Sequence, residues 1–234
     1  MSVIQPKFAA KVQSKERLFS TLRSAGRAKT CMAGDHLFEQ ADDCNGLYLL
    51  ESGLVGLRKL NEDGTTMLVN LARPGDFIGY GPLLTDGEHA TSAEILQASQ
   101  VIFIDLARVQ RLLQETPELL SLLLQQATRD LYALEDKYLQ MATRQAHVRL
   151  AALLLSFKTT APGCTERADC KFELPLMNKD IADLIGIRPE TLSRAIGQLR
   201  SAGLAELRDH MVHIPSIAKL ARLGGGAHPT AVAA

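Results

Sequence analysis

Residues 178–203 read NKDIADLIGIRPETLSRAIGQLRSAG, the pattern of two short helices joined by a tight turn and closed by a glycine. The first helix is predicted from Lys179 to about Leu184, with Asn178 as its N-cap. Gly186 supplies the turn. Pro189 falls in the first turn of a second helix over 189–202, where its missing N–H costs nothing. Ile181, Ala182, Leu184 and Ile185 offer one apolar face, and Ile187, Leu192, Ile196 and Leu199 offer another at helical spacing. The opposite side of the second helix carries Arg188, Glu190, Thr191, Ser193 and Arg194, side chains that read base edges and hold phosphates. Glu190, Ser193 and Arg194 cluster at its N-terminal end, the end that enters a major groove. An ordinary helical hairpin would share the apolar faces but has no reason to gather these groups at one helix end. Next comes Leu204 to Ile214, with apolar Leu204, Leu207, Val212 and Ile214 around the polar turn Arg208-Asp209-His210, which reads as a wing. The stretch is predicted to be a winged helix-turn-helix, which implies binding to double-stranded DNA.

The rest of the chain is consistent with that reading. Its 234 residues suit one large or two modest domains, and 46% hydrophobic against 22% charged residues is a globular balance. A net charge of zero argues against a bulk nucleic-acid coat. Charge is instead local: Arg144, His147, Arg149, Arg188, Arg194, Arg200 and Arg208 fall within 143–149 and 188–208, as suits a sequence-specific binder. No apolar run approaches a membrane span, and the opening MSVIQPKFAAKV lacks the apolar core of a secretory signal, so no membrane partner and a cytoplasmic location are expected. In that compartment the four cysteines, Cys31, Cys44, Cys164 and Cys170, are expected as free thiols. The closing GGGAHPTAVAA is expected to be a disordered tail.

Residues 28–105 change period. Short apolar runs (47–50, 54–57, 67–71 and 101–104) alternate with turn signals at Glu51-Ser52-Gly53, Asn61-Glu62-Asp63-Gly64 and Arg73-Pro74-Gly75-Asp76, which predicts a small β-barrel or sandwich. Leu106 to Gln114 is a short helix, and Pro117 opens a long one. In it Leu120, Leu124, Ala127, Leu131, Leu134, Tyr138 and Met141 follow gaps of 4, 3, 4, 3, 4, 3, a heptad seam that predicts a parallel homodimer. Leu122 and Leu123 supply a second face for the barrel. A helix with core Val148, Leu150, Ala151, Leu153, Leu154 and Leu155 follows a hinge near Ala142-Thr143, then a loop, TTAPGCTERADC, and a strand over Lys171–Leu174.

Taken together, Glu51-Ser52-Gly53, Pro74-Gly75-Asp76-Phe77-Ile78-Gly79 and Glu190-Thr191-Leu192-Ser193-Arg194 resemble the Crp/Fnr family of bacterial transcription regulators, over about residues 18–215. The resemblance implies an α+β chain. Residues 1–17 would be an N-terminal segment and 18–108 a cyclic-nucleotide-binding-like β-barrel of jelly-roll type. Residues 109–142 would be the dimerisation helix, 143–216 the winged helix-turn-helix and 217–234 a tail. It also implies RNA polymerase as a partner beside DNA and a second copy of the chain. In the family's recognition helix a Glu and an Arg four residues apart read a G·C pair and its neighbour, here Glu190 and Arg194. Ser193 stands where the oxygen-sensor branch carries Ser, which implies a TTGAT-N4-ATCAA-like palindrome. Pro189 replaces a basic residue of the cyclic-AMP branch, and Arg188 is a substitute phosphate contact.

The signal is less legible. Tyr80 and Ala90 stand where the cyclic-AMP branch has the Glu that holds ribose and the Arg that neutralises phosphate, while Leu134 and Glu135 replace two hydroxyl residues facing the base. Without the Arg a bound phosphate would be an unpaired charge, so cyclic AMP is disfavoured. No cysteine lies in residues 1–30, Cys31 and Cys44 sit in the first barrel strands, and no four-thiolate set is visible, so an iron–sulfur cluster is disfavoured too. The cofactor is left open. Haem on His36, His89 or Met32 is one alternative, although His36 and His89 sit among polar or Gly neighbours and read first as exposed loop residues. A thiol switch at Cys164 and Cys170 is another, with bystander thiols the plainer reading. An apolar effector held by Gly79, Tyr80, Leu83, Leu84, Thr91, Leu131 and Leu134 is a third, and an empty, constitutive barrel a fourth. No acid–base pair, nucleophile with a base, or metal-ligand set is visible, so the chain is not expected to be an enzyme or to hold a metal. A regulatory binding module that does not touch DNA would leave Glu190, Ser193 and Arg194 unexplained.

Overall fold

The computed structural model describes residues 16–85, 87–158 and 169–224 of the chain. Contacts divide it between Arg129 and Asp130 into two compact units.

The first unit opens with a helix over 16–25 (α1). Strands β1 Arg27–Cys31, β2 His36–Phe38, β3 Gly46–Leu60, β4 Thr66–Ala72 and β5 Phe77–Ile78 follow. A short helix, α2 Tyr80–Thr85, leads to β6 Ser92–Asp105. The six strands form one antiparallel sheet whose path runs β1-β6-β3-β4, with β2 added on β6 and β5 on β3. The path does not close, and the arrangement accords with the α+β jelly-roll expectation. Alternation along β3 builds two cores. Leu47 and Leu49 join Leu22, Phe77, Ile104, Leu119 and Leu123 on one side, while Tyr48 and Leu50 join Cys31, Val55, Ile78 and Ile95 on the other.

Glu51-Ser52-Gly53, expected as a turn, is an irregularity inside one continuous strand, β3. The pairing with β6 slips around Ser52. Gly53 has φ +97, and a Cβ there would lie 2.0 Å from Ser99 Oγ, so glycine serves a bulge against β6. The run at 101–104 is the end of the long β6 and not a strand of its own. The other two turns stand as read. Asp63 Oδ1 accepts from the Thr65 N–H at 2.9 Å in the β3–β4 hairpin, and Asp76 Oδ2 accepts from the Arg73 N–H at 2.9 Å. Cys44 lies in the loop before β3, outside the strands.

Helix α3 Leu106–Glu115 is capped by the Asp105 carboxylate, which accepts from the Arg108 N–H at 3.0 Å. Pro117 then opens α4, Pro117–Thr143. Its stripe Leu119, Leu123 and Gln126 is buried, with Leu122 packed beside it.

In the second unit α5 Ala146–Lys158 follows α4. Then come β7 Cys170–Glu173, α6 Asn178–Ile185, α7 Pro189–Ser201, β8 Glu206–Arg208, β9 Met211–Ile214 and α8 Ile217–Gly224. The three strands pair antiparallel in the order β7-β9-β8. The segment from 217, expected as tail, begins as helix α8. Ile217 and Leu220 form an apolar stripe that is buried, and Gly224 abuts Leu155 and Ala152 of α5. The rest of GGGAHPTAVAA and most of the loop TTAPGCTERADC lie outside the described residues, as does most of the expected 1–17 segment. Leu18 and Leu22 of α1 are buried in the first core. No helix among the described residues is long and apolar enough to cross a membrane.

Candidate nucleic-acid interface

Helix α6 starts one residue earlier than its sequence suggests. Met177 is the N-cap, and the buried Asp180 reaches back so that its Oδ2 accepts from the Met177 N–H at 3.3 Å. Asn178, expected as the cap, is the first helical residue. The carboxylate at the third helical position reaches back to the N-cap N–H, the other half of a capping box. Gly186 ends α6 in the left-handed region at φ +64, and its N–H reaches the Ala182 and Asp183 carbonyls. A Cβ at Gly186 would lie 2.5 Å from Met141 Cε, so the end of α4 is seated on this turn.

Arg188 is extended and precedes Pro189, and its carbonyl accepts from the Thr191 and Leu192 N–H groups to start α7. Leu192, Ala195 and Leu199 are buried beneath α7, with Ile187 and Ile196 half-buried. Arg188, Glu190, Ser193 and Arg194 are exposed together, as the sequence pattern requires. Thr191 is half-buried. Its Oγ1 accepts from Arg194 Nη2 at 3.2 Å, so it orients the guanidinium, while Ser193 Oγ donates to the Pro189 carbonyl at 3.3 Å. Glu190 carries no hydrogen bond or ion pair among the described residues and is free to accept from a base.

The exposed strip continues past the predicted residues. Gly197, Gln198 and Ser201 repeat the helical spacing from Arg194, and with Arg194 and Ala202 they line a shallow groove. Nothing lies within 4 Å of where a Gly197 Cβ would be. The i+3 and i+4 continuation from Glu190 and Arg194 was the available signal for these positions. Strands β8 and β9 meet at Asp209 (φ 46) and His210 (φ 67), a two-residue turn matched to strand twist. His210 Nδ1 lies 3.1 Å from the Leu176 carbonyl, which fixes this wing to the segment before α6.

The other predicted residues fall as follows. Along α4, Leu120, Leu124, Leu131, Leu134 (62% exposed), Tyr138 (74%) and Met141 are exposed apolar side chains, and Ala127 is half-buried. Tyr80, Leu83 and Leu84 pack together on the core of Leu22, Leu49 and Phe77. Gly79 lies elsewhere, against His89 and Phe38, while Thr91 is half-exposed. Ala90 is exposed. His36 is exposed and paired with Glu39, and Met32 is exposed.

His89 overturns its expectation as an exposed loop residue. It is 3% exposed and stacks on Phe38 with ring centroids 3.6 Å apart. Backbone bonds to Ala41 and Asp42 fold its loop inward. Its Nε2 has no partner among the described residues, and burial lowers its pKa against the opposing pull of Asp42. Cys31 and Cys44 are free thiols, but Cys170 is disulfide-bonded, against the free-thiol expectation. That expectation came from redox compartment, which carries no information on proximity. Cys164 lies outside the described residues.

The model of the cyclic nucleotide-binding domain matches residues 28–116, and that of the Crp-like helix-turn-helix domain matches residues 148–223. Nitrogen fixation regulation protein FixK of Bradyrhizobium diazoefficiens is 31% identical over 178 residues, spanning 76% of this chain and 73% of the relative. The fumarate and nitrate reduction regulatory protein of Escherichia coli K12 is 26% identical over 201 residues, 85% of this chain and 79% of that one. Among solved structures, FixK2 from Bradyrhizobium japonicum superposes with a TM-score of 0.73 at 21% identity, covering 86% of this chain and 98% of that one, a likeness of fold.

Proposed function

Since the chain belongs to the Crp/Fnr family of DNA-binding transcription regulators, we propose that it acts as a homodimer reading a TTGAT-N4-ATCAA-like palindrome. The observation that carries this reading is the exposed end of α7, where Glu190, Ser193 and Arg194 stand together with Arg194 held by Thr191. Arg194 would take a guanine edge bidentately, Glu190 would accept from a cytosine amine, and Arg188 would hold a phosphate. The exposed heptad seam supports pairing of two α4 helices, because apolar side chains this large and regular gain by mutual burial. Two recognition helices related by a two-fold axis would then meet successive major grooves, about 34–36 Å apart. The family's relatives are regulators rather than enzymes. The reading places the protein in the cytoplasm with DNA and RNA polymerase.

The barrel's signal is a separate matter. The segment from Gly79 to Ser92 contains no Lys or Arg, and its one imidazole, His89, is buried and held toward the neutral form. These residues do not fit a cyclic nucleotide phosphate. The described cysteines give no four-thiolate set for an iron–sulfur cluster. An apolar effector near Tyr80, Leu83 and Leu84 remains the barrel reading with residues to hold it. Whatever binds would act by preferring one arrangement of the paired helices.

Gel shift of the full chain with a TTGAT-N4-ATCAA duplex tests the function. Retention as a 2:1 protein–duplex complex, resisting random competitor, is expected. Absence of a shift under aerobic, anaerobic and reduced conditions would refute it.

A further inference from the structure

Beyond α7, the second unit holds a half-enclosed cavity of about 660 Å³ between the end of α4, α5, Leu184 and Ile185 of α6 and the last turn of α8. Three cations among the described residues line it: Lys137 from α4, Arg149 from α5 and Arg144 from the link between them. Among the described residues Asp136 is the one carboxylate lining it, and Asp183 lies close enough to interact with Lys137. Arg144 Nη1 is bound to the Gly224 carbonyl. Arg149 Nε is buried and has no hydrogen-bond partner among the described residues. Burial lowers the pKa of both Lys137 and Arg149, the cost expected of cations held out of water. Leu153 and Met141 supply apolar wall.

Cations gathered around a concavity, one with a buried donor left over, form an arrangement stabilised by a multiply charged anion. We propose that this cavity binds a phosphorylated small molecule of about mononucleotide size. Its volume falls in the range of small-molecule sites. Two guanidiniums and an ammonium suit a phosphate better than a single carboxylate. A diffusible ligand is favoured over a DNA phosphate because the unsatisfied Arg149 Nε is recessed, not presented on a surface strip as Arg194 is. The site is contiguous with the DNA-reading motif. Leu184 and Ile185 line it, and Met141, which also lines it, is seated on Gly186. Binding itself does not depend on the function proposed above.

Isothermal titration of the full chain with AMP and with inorganic pyrophosphate tests the site. Saturable binding of one molecule per chain is expected, with AMP tighter because it also meets the apolar wall. Arg149→Gln and, separately, Lys137→Gln should each weaken it at least about tenfold, the value of a lost charge-assisted hydrogen bond. Thermal melts establish that each variant is folded, and Arg149→Lys, which keeps the charge, should retain more affinity than Arg149→Gln. No saturable binding of either probe at millimolar concentration overturns the proposal. Binding that neither variant weakens also overturns it. If instead both variants lower affinity for specific and random duplex equally and flatten its salt dependence, the cations are DNA phosphate contacts and the proposal is wrong.

Discussion

Gln126 is the residue whose loss should report most directly on how the long helix is held to the sheet. It is 4% exposed, and its side-chain amide completes the edge of β5. Oε1 accepts from the Phe77 N–H at 2.8 Å, and Nε2 donates to the Phe77 carbonyl at 2.9 Å. The amide thus stands in for a neighbouring strand. Truncation in Gln126→Ala orphans two buried backbone groups, each worth about 1–3 kcal/mol unsatisfied. Allowing for water entering part of the vacated space, the expected loss is about 2–4 kcal/mol of unfolding free energy. Urea denaturation of the full chain measures it, with an unchanged m-value showing that the comparison is sound. Gln126→Glu sharpens the test. The retained oxygen still accepts from Phe77, but the lost donor faces the carbonyl with a buried charge. Burial raises the folded-state pKa of that carboxyl above its unfolded value, so the variant should regain stability as pH falls through the folded pKa. A loss below about 1 kcal/mol for Gln126→Ala, or a pH-independent Gln126→Glu, would refute this account of the junction.

Other outcomes are expected elsewhere. Arg194→Ala should cost about 1–3 kcal/mol on the palindrome and relax selection at one guanine, read by competition binding; equal loss on random DNA would make Arg194 a phosphate contact. Leu131→Glu with Leu134→Glu should convert the proposed dimer to monomer in sedimentation and abolish the specific gel shift, and an unaltered sedimentation coefficient would discard the seam. His89 is buried with its pKa lowered, so the unfolded chain takes up a proton that the native state does not. Native stability should therefore fall as pH drops below about 6.5, and His89→Gln should remove that part of the slope in denaturant titrations at pH 5.5 and 7.5.

The recognition helix was legible because its information is local. Pro189 and Gly186 mark the turn, Leu192 and Leu199 set the buried face, and Glu190, Ser193 and Arg194 are left outward by helical geometry alone. The cap of α6 lies one residue before Asn178 because Met177 has no side chain that marks a cap, and only the backbone path brings its N–H to the Asp180 carboxylate. The turn expected at Glu51-Ser52-Gly53 failed because a bulge and a turn share one glycine signal. What separates them is whether the partner strand continues alongside, as β6 does. Gln126 gave no sequence signal, since a polar residue in an apolar stripe is interpretable only once Phe77 is seen opposite it. The burial of His89 is illegible in sequence for the same reason. Its neighbours in sequence are polar, but its neighbours in space are Phe38 and Gly79.

By itself the sequence determined the bounds of α3, the start of α4, the span of α7, the heptad spacing along α4 and the polar end of α7, because turn residues and apolar period act over a few positions. The tertiary structure alone decided the burial of His89, the seating of Met141 on Gly186 and the gathering of Lys137, Arg144 and Arg149 around one cavity. Each of these depends on which distant backbone arrives alongside, and no local pattern of side chains encodes that.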